Sequence, residues 1–381
     1  AAEAGTVAGC RDGKLASGYA HSCAIVQSAD LKCWGNGAHG QLGYDSTDTK
    51  GESTGEMASL GLVNLGVGRT AVIVAAGKGD VFTVDYGHTC AILDTTDLKC
   101  WGKNGYGQLG YDSTDNKGDS AGEMKSLGVV NLGAGRTAVA VDLGRSYTCA
   151  ILDNGDLKCW GYNSDGQLGY DSTDNKGDSA GDMASLGVID LGAGRTAVSV
   201  STGYAHTCAI LDNGDLKCWG ENGYGQLGYD STDDKGRSAG DMASLGAVNL
   251  GRPAVAVSAG DYYTCAILDN SELKCWGENG VGQLGYDSTD SKGDSAGDMV
   301  SLNPVNLGSG RTAVAVSAGG SHTCAILNSD RNGDLKCWGA NYYGQLGYDS
   351  RDEQGDQPGE MENLPTIAFG QCFRCTALAV T

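Results

Sequence analysis

The stretch Cys149-Ala-Ile-Leu-Asp-Asn-Gly-Asp-Leu-Lys-Cys159-Trp160-Gly161 recurs six times, and this repeat limits what the chain can fold into more than any other feature. The copies end at Trp34, Trp101, Trp160, Trp219, Trp276 and Trp338, at intervals of 67, 59, 59, 57 and 62 residues. Each is followed by Gly-Gln-Leu-Gly-Tyr-Asp-Ser and then by an acidic run ending near a Met. A period of this length signals similar supersecondary units that bury their faces on one another.

Cys149 and Cys159 lie symmetrically about Asn154, so a hairpin turning at Asp153-Asn154-Gly155 places them opposite each other. Gly155 supplies the positive φ that such a turn needs. Ile151 and Leu157 then fall on the same side as the cysteines. Directly opposed antiparallel residues approach closely enough for a disulfide. The same ten-residue interval joins Cys23 to Cys33, Cys90 to Cys100, Cys208 to Cys218 and Cys265 to Cys275. Cys324 and Cys337 are thirteen apart, with the extra residues in the turn. Six hairpin disulfides are expected.

A third strand, such as Ala138-Val-Ala-Val141 or Ala254-Val-Ala-Val257, precedes each hairpin, and a fourth short one, such as Val129-Val-Asn-Leu132, precedes that. Four short strands per repeat of about sixty residues predict an all-β, six-bladed β-propeller forming a single domain over residues 1–381. Gly181-Asp-Met-Ala-Ser-Leu186 reads as a single helical turn. Residues 365–381 match the segments that open the other repeats, yet no hairpin follows them. They are therefore expected to complete blade one and close the ring, removing exposed sheet edges. Cys10, Cys372 and Cys375 fall at that seam, where a bond from Cys10 to Cys372 or Cys375 would lock closure. One cysteine is left over, for an intermolecular bond, a reactive site or a buried thiol.

Fifteen cysteines, twelve of them in hairpin pairs, indicate an oxidising compartment. The start at Ala1-Ala2-Glu3 reads as a mature form after signal removal, so the expectation is a secreted protein. No Asn-x-Ser/Thr acceptor is present. The formal net charge of −21 argues against nucleic-acid partners, which need Lys and Arg, and against anionic membranes. No apolar run is long enough for membrane insertion.

The motif Cys-Trp-Gly-x-Asn-x-x-Gly-Gln-Leu-Gly, as at Cys159–Gly169, with Gly-x-x-His-Thr-x-Ala before the hairpin, resembles the regulator of chromosome condensation repeat. The resemblance runs from about Ser17 to Thr381. It implies a β-propeller of such repeats, of the extracellular, disulfide-containing kind. It does not carry over the founding member's nucleotide exchange on chromatin, because that protein is seven-bladed and lacks the cysteine framework.

Four repeated polar features are candidates for chemistry. The acidic loops space their carboxylates around a Gly, as at Asp112, Asp115 and Asp119, at Asp171, Asp174 and Asp178, and at Asp287, Asp290 and Asp294. Several oxygen ligands around one hard cation would suit calcium. The other role is turn capping through backbone amides, and Arg237 replaces a carboxylate in blade four. His21, His88, Tyr147, His206, Tyr263 and His322 stand two residues before the first hairpin cysteine; Tyr at two places points to hydrogen bonding within the blade rather than a metal. Arg69, Arg136, Arg195, Arg252, Arg311 and Arg374 are expected to bridge blades or reach the acidic loops. Tyr44, Tyr111, Tyr170, Tyr229, Tyr286 and Tyr348 beside the acidic loops are interface or inter-blade aromatics. No phosphate loop or nucleophile elbow supports an enzyme. The expectation is a structural or interaction protein, binding copies of itself in a layer, filament or matrix, or another extracellular protein. Calcium-dependent binding of a glycan or other ligand is the alternative.

Overall fold

The computed structural model describes residues 14–26, 29–78, 87–328 and 334–367. Cys10, Cys372, Cys375, Phe82, Arg374 and the segment from 368 onward lie outside the described residues. The described chain forms six three-stranded antiparallel sheets, each made of three consecutive strands. Blade one holds β1 (Leu15–Ser17), β2 (His21–Ile25) and β3 (Leu31–Gly35). Blade two holds β4 (Ala71–Ala76), β5 (His88–Leu93) and β6 (Leu98–Gly102). Blade three holds β7 (Ala138–Leu143), β8 (Tyr147–Leu152) and β9 (Leu157–Gly161). Blade four holds β10 (Ala197–Thr202), β11 (His206–Leu211) and β12 (Leu216–Gly220). Blade five holds β13 (Ala254–Ala259), β14 (Tyr263–Leu268) and β15 (Leu273–Gly277). Blade six holds β16 (Ala313–Ala318), β17 (His322–Leu327) and β18 (Asp334–Gly339).

The hairpin register is the one the cysteine spacing demands. Cys149 faces Cys159 across β8 and β9, with Ile151 facing Leu157. Their Cα atoms are 4.1 Å apart, and the disulfide is closed. The other five pairs, from Cys23–Cys33 to Cys324–Cys337, are bonded in the same way, with Cα separations of 4.0 to 4.1 Å. Gly155 takes φ 82° in the turn.

Among the described residues each sheet has three strands rather than the expected four, and the reason lies on the outer edge of the third. In blade three the outward groups of β9 are met by three different partners. Leu157 O accepts from Ile189 N at 3.0 Å, Cys159 N donates to the Tyr170 hydroxyl at 3.2 Å, and Gly161 exchanges both backbone bonds with Lys176. The edge is thus covered without a ladder. The segment expected as a fourth strand keeps one ladder-like bond, and it makes that bond to the preceding sheet. Val130 N donates to Leu98 O at 2.8 Å, and Ile367 N to Leu335 O at 2.8 Å. Ile367 therefore attaches to blade six. In blade one the strand beside β2 is β1, from the N-terminal side of the hairpin; this is the place expected for a strand of 365–381.

Helix is confined to single turns: a 3₁₀ turn at Met57–Ser59, α1 (Glu123–Ser126), α2 (Asp182–Ser185), α3 (Asp241–Ser244), α4 (Asp298–Ser301) and α5 (Glu360–Asn363). Each α-turn buries one Met: Met124, Met183, Met242, Met299 or Met361.

Contacts divide the chain into two compact units. The first covers described residues of 12–205 and 235–244, and the second those of 206–234 and 245–381. In the first, Trp160 and Met183 of blade three pack with Cys90, Leu98 and Leu109 of blade two. In the second, Trp338 and Met361 pack with Cys265, Leu273 and Leu284. The core therefore lies between consecutive blades, with the hairpin disulfides of blades one, two, four and five forming part of its wall.

Candidate interaction surface

The repeated polar residues occupy the seams between blades, and the Gly-Gln-Leu-Gly motif is the main socket. The Gln108 carbonyl accepts from the Thr148 hydroxyl at 2.9 Å and the Trp160 indole at 3.0 Å, both of the next blade. Gln226 serves Thr264 and Trp276 in the same way, and Gln283 serves Thr323 and Trp338. Both glycines are forced. A Cβ on Gly110 would sit 2.8 Å from Trp160 Nε1, and one on Gly107 would sit 2.3 Å from Asp178 N. Trp160 is fully buried under this arrangement.

The first carboxylate of five of the acidic loops, Asp45, Asp112, Asp171, Asp230 and Asp287, crosses to the next blade. Asp112, at φ 55°, accepts from Met183 N at 2.8 Å and Gly181 N at 3.0 Å. Asp171 does the same for Met242 and Gly240, and Asp287 for Met361 and Gly359. The last carboxylate folds back on its own loop: Asp182 accepts from Gly177 N and Ser179 N. Asp119 and Asp178 accept only from the neighbouring serine hydroxyls. Among the described residues no three His, Cys, Asp or Glu gather as a metal site would require. A calcium ion would have to take Asp112, Asp171 and Asp287 from two amides each. Replacing Asp112 with Ala is expected to lower the denaturant midpoint by about 1–2 kcal/mol of stability, the loss of a helix cap. Asp115→Ala, which removes a carboxylate outside this clasp, is expected to stay within about 0.5 kcal/mol. Equal losses in the two variants would refute the clasp.

The histidine row also bonds across the seams, where bonding within a blade was expected. His21 Nε2 lies 2.8 Å from the Thr89 hydroxyl, which itself donates to Gln41 O at 2.7 Å. Since the hydroxyl proton is spent on that carbonyl, the His21 ring must donate through Nε2–H. Its buried Nδ1 has no hydrogen-bond partner among the described residues, so a second ring proton would have no acceptor. Burial pushes the His21 imidazole down to about 4. Tyr263 fills the same place in blade five; its hydroxyl lies 3.0 Å from that of Thr323 and donates to His322 O.

A sign follows for acid stability. Below the unfolded value near 6.5 the unfolded chain takes up a proton that folded His21 refuses. His21's contribution is complete above that pH and is lost as pH falls toward 4, on the order of 3 kcal/mol in all. His322 is shifted in the same direction, also by burial. In His21→Tyr, urea midpoints measured between pH 4 and 7 are expected to fall less than in the parent. An identical pH profile would contradict this role.

Arg69, Arg136, Arg252 and Arg311 pair within their own blade, which corrects the expected bridge for these four. Arg136 meets Asp153 at 3.1 Å and Arg252 meets Asp269 at 2.6 Å, each pairing with the hairpin turn. Arg311 pairs with Asp334. These pairs are exposed and contribute little. The tyrosines beside the acidic loops clamp strand edges. Tyr111 accepts from Cys100 N at 3.1 Å and donates to Gly128 O at 3.2 Å, and burial pushes its hydroxyl pKa far up.

What differs between otherwise matching repeats is the loops after Trp-Gly and before Gly-Gln, which form the rim of each unit. Two loops are joined there by backbone bonds: Tyr162 N donates to Ser146 O at 2.9 Å, and Glu278 N to Tyr262 O at 2.9 Å. The amide of the residue before Gly-Gln is held as well, as Tyr106 N is by Gln108 Oε1 at 2.9 Å. The side chains carried on this frame differ from blade to blade. The position after Trp-Gly carries Asn36, Lys103, Tyr162, Glu221, Glu278 and Ala340, and the position before Gly-Gln carries His39, Tyr106, Asp165, Tyr224, Val281 and Tyr343. In the first unit Tyr106 packs on Tyr162, ring centroids 4.7 Å apart. Arg145 lies over the Tyr204 ring at 4.6 Å and donates to its hydroxyl.

With sockets, clasps and rim assigned, the repeat can be compared with known ones. The regulator of chromosome condensation (RCC1) repeat matches residues 14–41, 86–108, 138–167, 197–226, 254–283 and 313–345. A second form of the same repeat matches residues 273–326. The chain belongs to the regulator of chromosome condensation repeat family. The ultraviolet-B receptor UVR8 of Arabidopsis thaliana is 28% identical over 87% of this chain and 78% of the receptor. The mitochondrial RCC1 domain-containing protein RUG3 of the same plant is 27% identical over 88% of this chain and 71% of its own length. The human E3 ubiquitin-protein ligase HERC2 is 26% identical over 72% of this chain, which spans 5% of that ligase. Among solved structures, human WBSCR16 superposes with a TM-score of 0.70 at 18% identity, covering 93% of this chain and 81% of its own. Saccharomyces cerevisiae Prp20p, described with its binding properties to Gsp1p and histones, superposes at 0.66 and 17%, covering 93% and 76%. These likenesses make the fold an RCC1-type β-propeller, here with a disulfide in every described hairpin.

Proposed function

We propose that the chain is a secreted protein-interaction propeller whose partner docks on the variable loop rim, with no catalytic step of its own. The observation that carries this reading is the contrast within the repeat. Sockets, clasps and hairpins recur almost unchanged, whereas the rim side chains, rich in tyrosine, differ from blade to blade on a fixed backbone. A rigid frame presenting aromatic anchors is what a protein interface needs. The six disulfides support an oxidising compartment. The charge of −21 favours a protein over a nucleic acid as partner. Binding to Gsp1p and histones is described for Prp20p, which gives the family a precedent for protein partners. Association with further copies of itself, into a layer, filament or matrix, is the narrower form of the same reading.

The test compares three proteins: the parent, a rim variant (Tyr106→Ser, Tyr162→Ser, Tyr204→Ser) and a loop variant (Asp174→Asn, Asp178→Asn). Each is crosslinked in the native extracellular fraction and sized by sedimentation with and without a chelator. The rim variant is expected to lose crosslinks, including any to itself, while the loop variant keeps them in chelator. Loss in the loop variant with retention in the rim variant would overturn this reading and favour calcium.

A further inference from the structure

The rim of the second unit sets aromatic rings beside carboxylates. Tyr224, 43% exposed, and Tyr262 lie with ring centroids 5.5 Å apart and planes at 57°. Glu278 is fixed next to them, its amide bonded to Tyr262 O at 2.9 Å and its carboxylate accepting from Gln283 Nε2 at 3.3 Å. Asp261 precedes Tyr262 and leans toward blade six, where Gly320 leaves it room: a Cβ there would sit 3.1 Å from Asp261 Oδ2. The Glu278 carboxyl is pushed up by burial and then by the charge of Asp261. A carboxylate raised by a like charge in this way gains from a cation placed beside it. The first unit carries Lys103, Tyr162 and Arg145 at the matching positions, so acidity here is local rather than a general property of the rim.

We propose that Tyr224, Tyr262, Asp261 and Glu278 form the docking point for a lysine- or arginine-rich segment of a partner protein. The ring faces attract the cation, and the carboxylates give it charge-assisted hydrogen bonds. The strongly acidic chain steers such a segment inward, and salt weakens the steering. This inference rests on the rim being the binding face.

The probe is a fluorescently labelled octalysine peptide titrated against the full chain by anisotropy, with octaglutamate as its counterpart. Octalysine is expected to bind, with Kd rising at least tenfold between 50 and 300 mM salt. Tyr262→Ser and Glu278→Gln are each expected to raise Kd at least tenfold. Asp290→Asn with Asp294→Asn, on an acidic loop away from the rim, is expected to change Kd less than threefold. Melting curves of each variant confirm folding, and Glu278→Gln removes a repulsion and keeps a comparable shape. Failure of octalysine to bind, equal binding of octaglutamate, or an equal loss in the loop variant overturns the proposal. If octalysine fails while the rim variants still lose their native crosslinks, this inference falls and the rim stands as the binding face.

Discussion

Reducing all six disulfides is expected to unfold the protein at 25 °C without denaturant. Each bond closes a hairpin loop of ten residues, or thirteen at Cys324–Cys337. The chain-entropy account gives about 2.5–3 kcal/mol for a loop of that size, on the order of 15 kcal/mol for six. Ordinary domains hold only about 5–15 kcal/mol in total. Cys149 and Cys159 are fully buried, as are the corresponding pairs in blades one, two, four and five. Reductant therefore has to wait for a blade to open, and reduction should track local opening rather than reductant concentration. Circular dichroism and tryptophan fluorescence of the reduced, alkylated chain provide the measurement. Cooperative melting within a few degrees of the oxidised protein would sink the idea. Removing one bond, as Cys149→Ala with Cys159→Ala, is expected to cost about 3 kcal/mol.

Trp160→Ala is expected to cost roughly 3–5 kcal/mol, the usual range for emptying a buried tryptophan site. The magnitude is decided by packing rather than by the lost indole bond. Gln108 O would keep the Thr148 hydroxyl as donor, so it would not be left bare. Trp160→Phe retains most of the apolar area and is expected to cost about 1–2 kcal/mol. Hydrogen exchange along Tyr147–Leu152 reports the difference, because that strand lies at the same seam. Protection within threefold of the parent in Trp160→Ala would remove the socket from the account.

Much of this architecture was legible before any coordinates. Cys149 and Cys159 around Asn154 fix strand pairing, register and disulfide at once, because an antiparallel hairpin allows one partner for each residue. The helical turn at Asp182–Ser185 was legible too. What was not legible is what crosses between repeats. Nothing local in Asp112 says that its oxygens meet amides 69 and 71 residues on, in Gly181 and Met183. The same sequence pattern suits a calcium loop. Val129–Leu132 looked like a strand because its composition fits one, yet it finds a single bonding partner on the neighbouring sheet. The arginines were misplaced for the opposite reason: a strictly local pairing with the hairpin turn leaves no mark in the repeat's periodicity. The rim was visible only on treating the six repeats as a set of variants of one another.

The Gln carbonyl that receives the next repeat's Trp and Thr has a consequence for how such chains lengthen or are cut. A sheet is not self-sufficient, since its tryptophan is seated by a loop that belongs to the previous copy. A deletion bounded at sheet edges would bring a foreign loop to that tryptophan. A deletion of one full period starting at any point, even mid-strand, restores an equivalent loop ahead of every hairpin. Gene segments duplicating in this family need therefore respect only the period, not the borders of a blade, and an engineered chain shortened from Gly107 to Asp165 obeys the same rule.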